Sequence, residues 1–495
     1  MFWVVVGAWA FAGAQTAGTI VGNTKERTAN MADYGSRALE TEFEQVVRAH
    51  GGDMEGRRAG DAYLAGTHAR YHGDPTPWAL MPKIFDAATM ALLRDAAETT
   101  YSIMDKVTRA YVADPALRAA FGFDSAFAQL CALPCGYDCQ IPLARVDIFL
   151  NEETGAFKFC EFNTDGSAGM VTVDEVNRAV AQAPSWTEFA AAHPGLSTFS
   201  VCESWVDALL ETYAEWLAAG GNGPKTPAVA IVDYAESIDA DDVQHFVELF
   251  AARGISARFT DVRDLRIADE GDDAHLADAE GAIDLVWRRA VTSELWEKPC
   301  DGRAALIASV ERNLACAAGG FRTWPCATKT IFALLWGDEV QALLSDDEVA
   351  FVREHVPFTE VLGPQSDLSR FAERARWIVK PAGGYNSVGV LAGLDATDDE
   401  WRQALKVAAR DGGIIQEYAE QYRTPCLRGT LVEGEHRGSV DADLADELGF
   451  APASNMEGLF LFRGKFAGVY TRAGFANTIG EWTSRLNVGC FYQAE

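Results

Sequence analysis

A chain of 495 residues, 48% hydrophobic and 23% charged, has a globular balance and room for two or three lobes, which excludes a disordered chain. Its formal net charge of −30 repels nucleic-acid phosphates and anionic lipid, so neither a nucleic acid nor a membrane is expected as a partner. Cationic small molecules and metal ions are attracted instead, although such acidity also simply serves solubility.

Met1 to Ala14 is apolar and ends in Ala12-Gly13-Ala14, the pattern of a signal-peptide cleavage site. The run is too short to span a bilayer, and no Lys or Arg precedes it. Met31-Ala32-Asp33 reads as a second start ahead of a helix from Arg37 to His50. Residues 1–30 are therefore expected to be a non-core extension, and the protein cytoplasmic. The ten cysteines do not form a disulfide scaffold in so long a chain. Cys131, Cys135 and Cys139 invite a metal by their spacing, but a cluster normally needs four ligands, and Pro134 and Gly136 break any helix that would align them. Buried reduced thiols are the expectation.

Residues 84–112 carry apolar positions at helical spacing and predict a long packed helix. Arg145 to Leu150, the turn 151–155 and Ala156 to Asn163 predict a β-hairpin. A helix from about Ser204 to Ala219 follows, ended by glycines. From Lys225 the rhythm changes to strand (Ala228–Val232), helix (Asp241–Arg253), strand (Ile255–Thr260) and strand (Ile283–Trp287), a small Rossmann-like layer. No G-x-G-x-x-G follows its first strand, so no dinucleotide site is indicated. From about Ala304, helices and strands alternate again through Leu306–Ala317, Ile331–Leu335, Trp377–Lys380, Ile414–Tyr418 and a second hairpin within Leu459–Tyr470. The chain thus divides into 31–224, a layer at 225–300, and 301–495.

The first hairpin concentrates the polar signal. If its five-residue turn pairs Leu150 with Ala156, Arg145 sits opposite Glu161, and Asp147 lies diagonally from it. Alternation then puts Arg145, Asp147, Glu161 and Asn163 on one face. Two carboxylates and an amide oxygen are hard ligands suited to magnesium on nucleotide phosphates, with Arg145 on the transferring phosphoryl group. Spacing alone leaves a second reading open, a solvated strand face with a cross-strand Arg–Glu pair. Lys380 ends an apolar strand before Pro381-Ala382-Gly383-Gly384, where glycine-rich backbone could close over phosphates. Ile414-Ile415-Gln416-Glu417-Tyr418 could bind adenine through backbone groups, with Glu417 on the amine or ribose; a buried edge strand explains the run equally well.

Taken together these segments resemble the synthetase domain of glutathionylspermidine synthase, a permuted member of the ATP-grasp superfamily. Arg145-Val146-Asp147 followed by Glu161-Phe162-Asn163 is similar to that family's R-x-D and E-[FY]-N. Thr328 to Trp336 is similar to its N-K-x-x-x-x-x-L-W segment, Val379-Lys380-Pro381 to its V-K-P, and Glu457 to Tyr470 with Arg472 to its closing hairpin. The resemblance runs from about Met81 to the C-terminus. It implies an α/β (α+β) ATP-grasp fold with a small Rossmann-like pre-ATP-grasp layer. It also implies magnesium on Asp147, Glu161 and Asn163, ATP on Lys329 and Lys380, and Arg145 at the reacting phosphate, while Gln416, Glu417 and Tyr418 are the ATP contacts read from their own strand. Ser167, Arg289 and Arg472 are candidate substrate contacts. The implied activity is ligation of a peptide-like carboxylate to an amine, a polyamine among the candidates, through an acyl phosphate. A non-catalytic scaffold and a phosphotransferase on the same fold are the alternatives.

Overall fold

The computed structural model describes residues 34–71, 73–383, 389–431, 444–480 and 485–494. The extension expected at 1–30 and most of the glycine-rich loop after Pro381 lie outside the described residues.

The largest sheet has the order Trp78–Phe85, Leu486–Gln493, Lys465–Gly474, Phe450–Phe462, Leu143–Leu150, Phe157–Asn163. Its first pair is parallel and the others are antiparallel. Strands from 31–224 and from 301–495 thus interleave, and those two stretches of sequence build one body. Val146, Ile148, Leu459, Leu461 and Val469 pack with the helix Ala87–Ala113 on one face. Phe460, Phe462 and Tyr470 belong to the other face, covered by the helices Met170–Val180 and Val201–Ala218. A strand covered on both faces loses its polar alternation, which is why Phe450–Phe462 is buried along nearly its whole length.

The first hairpin forms, with a register that differs from the one expected. Leu150 pairs with Phe157 rather than Ala156, and a bulge at Asp147/Ile148 leaves Cys160 as the extra residue on the facing strand. Asp147 therefore stands directly opposite Glu161, and Arg145 opposite Asn163. Without the bulge, with Cys160 as a regular member of the strand, strict alternation would turn Glu161 toward the face of Phe157 and Phe159, which is core. The second hairpin turns at Arg463 and Gly464, with φ of 49° and 81°, a two-residue turn whose twist matches that of its strands.

The Rossmann-like layer has four parallel strands in the order Cys316–Ala318, Leu285–Arg288, Val229–Asp233, Ala257–Asp261. It runs past residue 300, because the stretch Leu306–Ala317 is not one element: a helix ends at Glu311 and the chain turns at Asn313 (φ 55°) into a fourth strand. A smaller antiparallel sheet orders Thr359–Val361, Ile414–Glu417, Trp377–Lys380 and Leu391–Ala392. The helix Asp398–Asp411 packs Trp401 and Leu405 with Val379 and Ile415 of this sheet. A Thr397–Glu400 capping box starts that helix, and Gly412 (φ 74°) stops it. Among the described residues no helix is long and apolar enough to cross a membrane. All ten cysteines are free thiols, Cys131 and Cys135 buried.

Where helix Ser36–Ala49, the first strand, the first hairpin's turn and the central strand meet, Glu40, Lys83, Glu152 and Glu457 are all buried. Lys83 pairs with Glu152 and lies 3.5 Å from Glu40. One lysine cannot neutralise three carboxylates. Burial, with the charge on Glu152 adding to it, pushes the carboxyls of Glu40 and Glu457 up from 4.5 to about 8. Both groups keep their protons in the folded state above their unfolded value, so the stabilisation is complete below about pH 4.5 and is lost as pH rises through about 8. The melting temperature is expected to fall between about pH 6 and pH 9, and to fall less in Glu457→Gln, which carries no titrating proton. Equal slopes in the two proteins would remove this cluster as the cause.

Candidate active site

The large sheet, the small sheet and the carboxyl ends of the parallel layer enclose a cavity of about 410 Å³. From the hairpin and the loop after it, Arg145, Glu161, Asn163 and Ser167 reach its wall. Lys329, Lys380, Gln416, Glu417 and Tyr418 line the side of the small sheet. Arg289 and Arg472 come from the parallel layer and the second hairpin. Twelve residues were expected at the site, and eleven of them meet at this one cavity, the exception being Asp147.

Asp147 lies beneath the wall and is 0% exposed. Arg145 donates to its Oδ1 from Nε (2.8 Å) and to its Oδ2 from a terminal nitrogen (3.1 Å). Arg472 donates to Oδ2 at 2.6 Å, and Asn163 Nδ2 to the same oxygen at 3.0 Å. Burial alone would raise this carboxyl, but the two guanidinium groups outweigh it and hold the group down at about 2. Both arginines also stand over the Tyr470 ring, at 5.4 and 5.0 Å. Gly458, paired with Asp147 across the sheet, makes room for this arrangement, since a Cβ there would sit 2.7 Å from both Arg145 Cδ and Asp147 Oδ1.

The donor set suits magnesium in part. Asn163 turns its amide nitrogen to Asp147 and, at 3.4 Å, to Glu161 Oε1, which leaves its amide oxygen for a ligand. Glu161 and Asn163 thus offer hard oxygens to the cavity. Asp147 sits behind them with its oxygens engaged. Magnesium usually needs one or two carboxylates, because phosphates and waters complete its shell.

Facing these oxygens are two lysines. Lys380 Nζ donates to Gln416 Oε1 (2.7 Å) and to the carbonyl of the bulge residue Cys160 (3.1 Å). Gln416 in turn donates to Thr359 Oγ1 at 2.9 Å, so its side chain helps to position Lys380 at the cavity wall. Lys329 caps the short helix Thr330–Leu334, and burial, reinforced by Lys380, lowers its ammonium below the usual lysine range. Ile414–Glu417 is a central strand, not an edge, paired on both sides. The N–H groups of Glu417 and Tyr418 are taken by the carbonyls of Phe358 and Arg376. A base at this strand end would therefore meet carbonyls and side chains.

Two positions at the cavity escaped the sequence reading. Asp165, two residues past Asn163, makes a fully buried ion pair with Arg288 at 2.6 Å and accepts from Thr292 and Thr323. This pair ties the hairpin's exit loop to the parallel layer. Asp233, the last residue of its strand, lines the cavity, and burial, only partly offset by Arg289, pushes its carboxyl up to about 6. Its place after the run Val229–Val232 was the signal available.

No family model and no curated protein matches the chain. A glutathione synthetase-like effector from Globodera pallida superposes with a TM-score of 0.57, over 89% of this chain and 96% of that one, at 11% identity. The fold is α/β and of the ATP-grasp type. A putative gamma-glutamylcysteine synthetase from Methylobacillus flagellatus is more distant, with a TM-score of 0.35 and 9% identity over 79% of this chain and 88% of that one. A D-cycloserine synthetase reaches a TM-score of 0.28 at 16% identity over 53% and 75%.

Removing one member of a buried ion pair strands the other charge. Asp165→Ala is expected to destabilise the fold by about 3–5 kcal/mol. Asp165→Asn, which still accepts from Thr292 N, should cost less. Chemical denaturation of the three proteins measures this, and a cost for Asp165→Ala within error of zero would show that the pair does not hold the loop.

Proposed function

We propose that the chain is an ATP-dependent carboxylate–amine ligase, forming an amide through an acyl phosphate with ADP as the nucleotide product. The observation that carries this reading is the convergence of Glu161, Asn163, Lys329, Lys380, Arg145 and Arg472 on one cavity from four separate stretches of sequence. A fold of the ATP-grasp type supports it.

A carboxylate is a poor electrophile near neutral pH. In the proposed reaction its oxygen attacks the γ-phosphorus of ATP, the bond to the bridging oxygen breaks, and ADP leaves. The amine then attacks the acyl carbon, phosphate departs with the electron pair, and the amine loses a proton. Such chemistry needs alignment, charge neutralisation and exclusion of water. Lys329 and Lys380 would hold the nucleotide phosphates. Arg145 and Arg472, kept in place by Asp147, would face the reacting phosphoryl or carboxyl oxygens, and their planar forks suit such oxygens. Magnesium, held by Glu161 and Asn163 with Asp147 behind them, would neutralise charge on the transferring phosphate. The small-molecule partners are a peptide-like carboxylate and an amine, polyamines among them, and ATP and Mg2+ are the cofactors.

The test is magnesium-dependent phosphate release screened over carboxylate and amine pairs, with product mass read alongside. A ligase gives a new amide, whereas a phosphotransferase leaves a stable phosphorylated product. Glu161→Gln keeps the shape and removes one charge, and should lower turnover by roughly two to three orders of magnitude with little change in melting temperature. Lys380→Ala should instead raise the nucleotide's Kd. Near-wild-type turnover in Glu161→Gln would end the metal assignment, and no phosphate release from any pair would favour the non-catalytic scaffold.

A further inference from the structure

Away from the cavity, the turn of the first hairpin lies against the segment that leads into helix Ser36–Ala49. A Cβ on Gly155 (φ 71°) would collide with the ring of Tyr34, which shows how closely the two are pressed together. The same two elements meet again in the interior, where the turn supplies Glu152 and the helix Glu40, 1% and 3% exposed. Lys83 pairs with Glu152 and stands 3.5 Å from Glu40, so one ammonium touches both carboxyls.

The other groups facing this contact come from every element packed around it. The helix adds Arg37, 3.4 Å from Glu40 Oε2 but also 3.8 Å from Glu44. The central strand adds Glu457, whose two oxygens have no hydrogen-bond partner among the described residues. Glu153 of the turn is exposed and reaches Tyr422. Burial pushes the Tyr422 hydroxyl and the Cys490 thiol up to about 12, so both stay neutral. Three buried carboxyls thus face one buried lysine and one arginine that Glu44 shares. Full ionisation would crowd like charges in the interior, and Glu40 Oε1 also lacks a partner among the described residues. Burial, reinforced by the charge on Glu152, pushes Glu40 up to about 8, and its proton turns repulsion between the two carboxyls into a hydrogen bond.

The helix is fixed independently of this contact. Gly35 N–H donates to Asp86 Oδ2 at 2.9 Å, Phe43 packs edge-on against Trp186 and Phe189 at 5.5 and 5.3 Å, and Arg48 pairs with Asp446 at 2.7 Å. The backbone of the turn is bonded to itself, Gly155 N–H to the carbonyl of Asn151 and Asn151 N–H to that of Ala156, both at 2.8 Å. If the contact parts, the turn is the side that gives. We propose that Glu40 and Glu152 form a proton-dependent latch, which holds the hairpin turn 151–155 to helix Ser36–Ala49 while they share one proton and releases it when that proton is lost. Opening carries Glu152 into water, leaves Glu40 to Lys83 and gives one proton to solvent. The latched hairpin carries Arg145, Glu161 and Asn163 at its far end, so what the latch steadies is one wall of the cavity. The latch needs no part of the ligase reading.

Hydrogen exchange of the full chain at about pH 6, 7, 8 and 9 tests it, each rate divided by the intrinsic rate at that pH. Peptides covering 150–157 read the opening of the turn. Peptides covering Val229–Asp233 serve as the reference for the loss of global stability that the same cluster causes. Up to about pH 8 the closed turn holds one proton more than the open one, so its opening constant should rise about tenfold per pH unit and then level off. The rise should reverse on return to the lower pH. Glu40→Gln and Glu152→Gln each keep a hydrogen bond across the contact with no shared proton to lose, so opening should be low and flat with pH in both. Either of the two suffices where the other does not fold. Glu40→Ala removes the contact and should open the turn at every pH. A turn that opens alike at all four pH values overturns the latch. So does a slope that survives in a glutamine variant, or one that only follows the reference peptides.

Discussion

Everything on the hairpin's side of the cavity depends on one extra residue in the strand Phe157–Asn163. With Cys160 inserted opposite the Asp147–Ile148 step, Phe157, Phe159 and Phe162 all turn to the core while Glu161 and Asn163 turn to the cavity with Arg145. A regular strand cannot satisfy both sets, since Phe159 and Glu161 have the same parity. The bulge also frees the carbonyl of Cys160 from the regular ladder, and Lys380 Nζ takes it at 3.1 Å. One irregularity therefore aims the carboxylate and anchors the lysine that faces it.

A second constraint is the burial of charge under that surface. Asp147 could not remain ionised with 0% exposure unless cations closed around it, and Arg145 and Arg472 do so. The converse also holds. Two guanidiniums stacked over Tyr470 would repel each other without the shared carboxylate. Asp147 is thus the counter-ion that permits a pair of arginines to stand side by side at the cavity wall. That role fits a pocket for dianionic or carboxylate oxygens. It is compatible with metal binding close by, because Glu161 and Asn163 are not used up by the clamp.

Much of this was legible in sequence. Alternation and turn residues located both hairpins, helical spacing located Ala87–Ala113, and eleven of the twelve site positions reach one cavity. What escaped did so for physical reasons. Cys160 is not a glycine and carries no local sign of a bulge, so an unshifted register was the natural default. The strand Cys316–Ala318 has three residues, too few for a period to show against the helix before it. The burial of Asp147 needed Arg472, which arrives from 325 residues away. Glu40, Lys83, Glu152 and Glu457 are each unremarkable where they stand in sequence and become a buried cluster only when four elements meet.

The parallel layer and the large sheet are not simply neighbours. Asp165 leaves the bulged strand within two residues of Asn163 and is seized by Arg288, one residue before Arg289. Arg288 has no room to serve a ligand, since it also donates to the carbonyls of Gly319, Ala290 and Gly320. Consecutive arginines thus divide the labour: Arg288 welds the layer to the hairpin's exit loop, and Arg289 points into the space the weld creates. A bond fixing the loop at Asp165 also fixes Ser167, two residues on, opposite Arg289. The distance between the hairpin's side of the cavity and the parallel layer is then set by a buried ion pair. The same buried pair therefore fixes how far Glu161 and Asn163, on the hairpin, stand from Arg289 across the cavity.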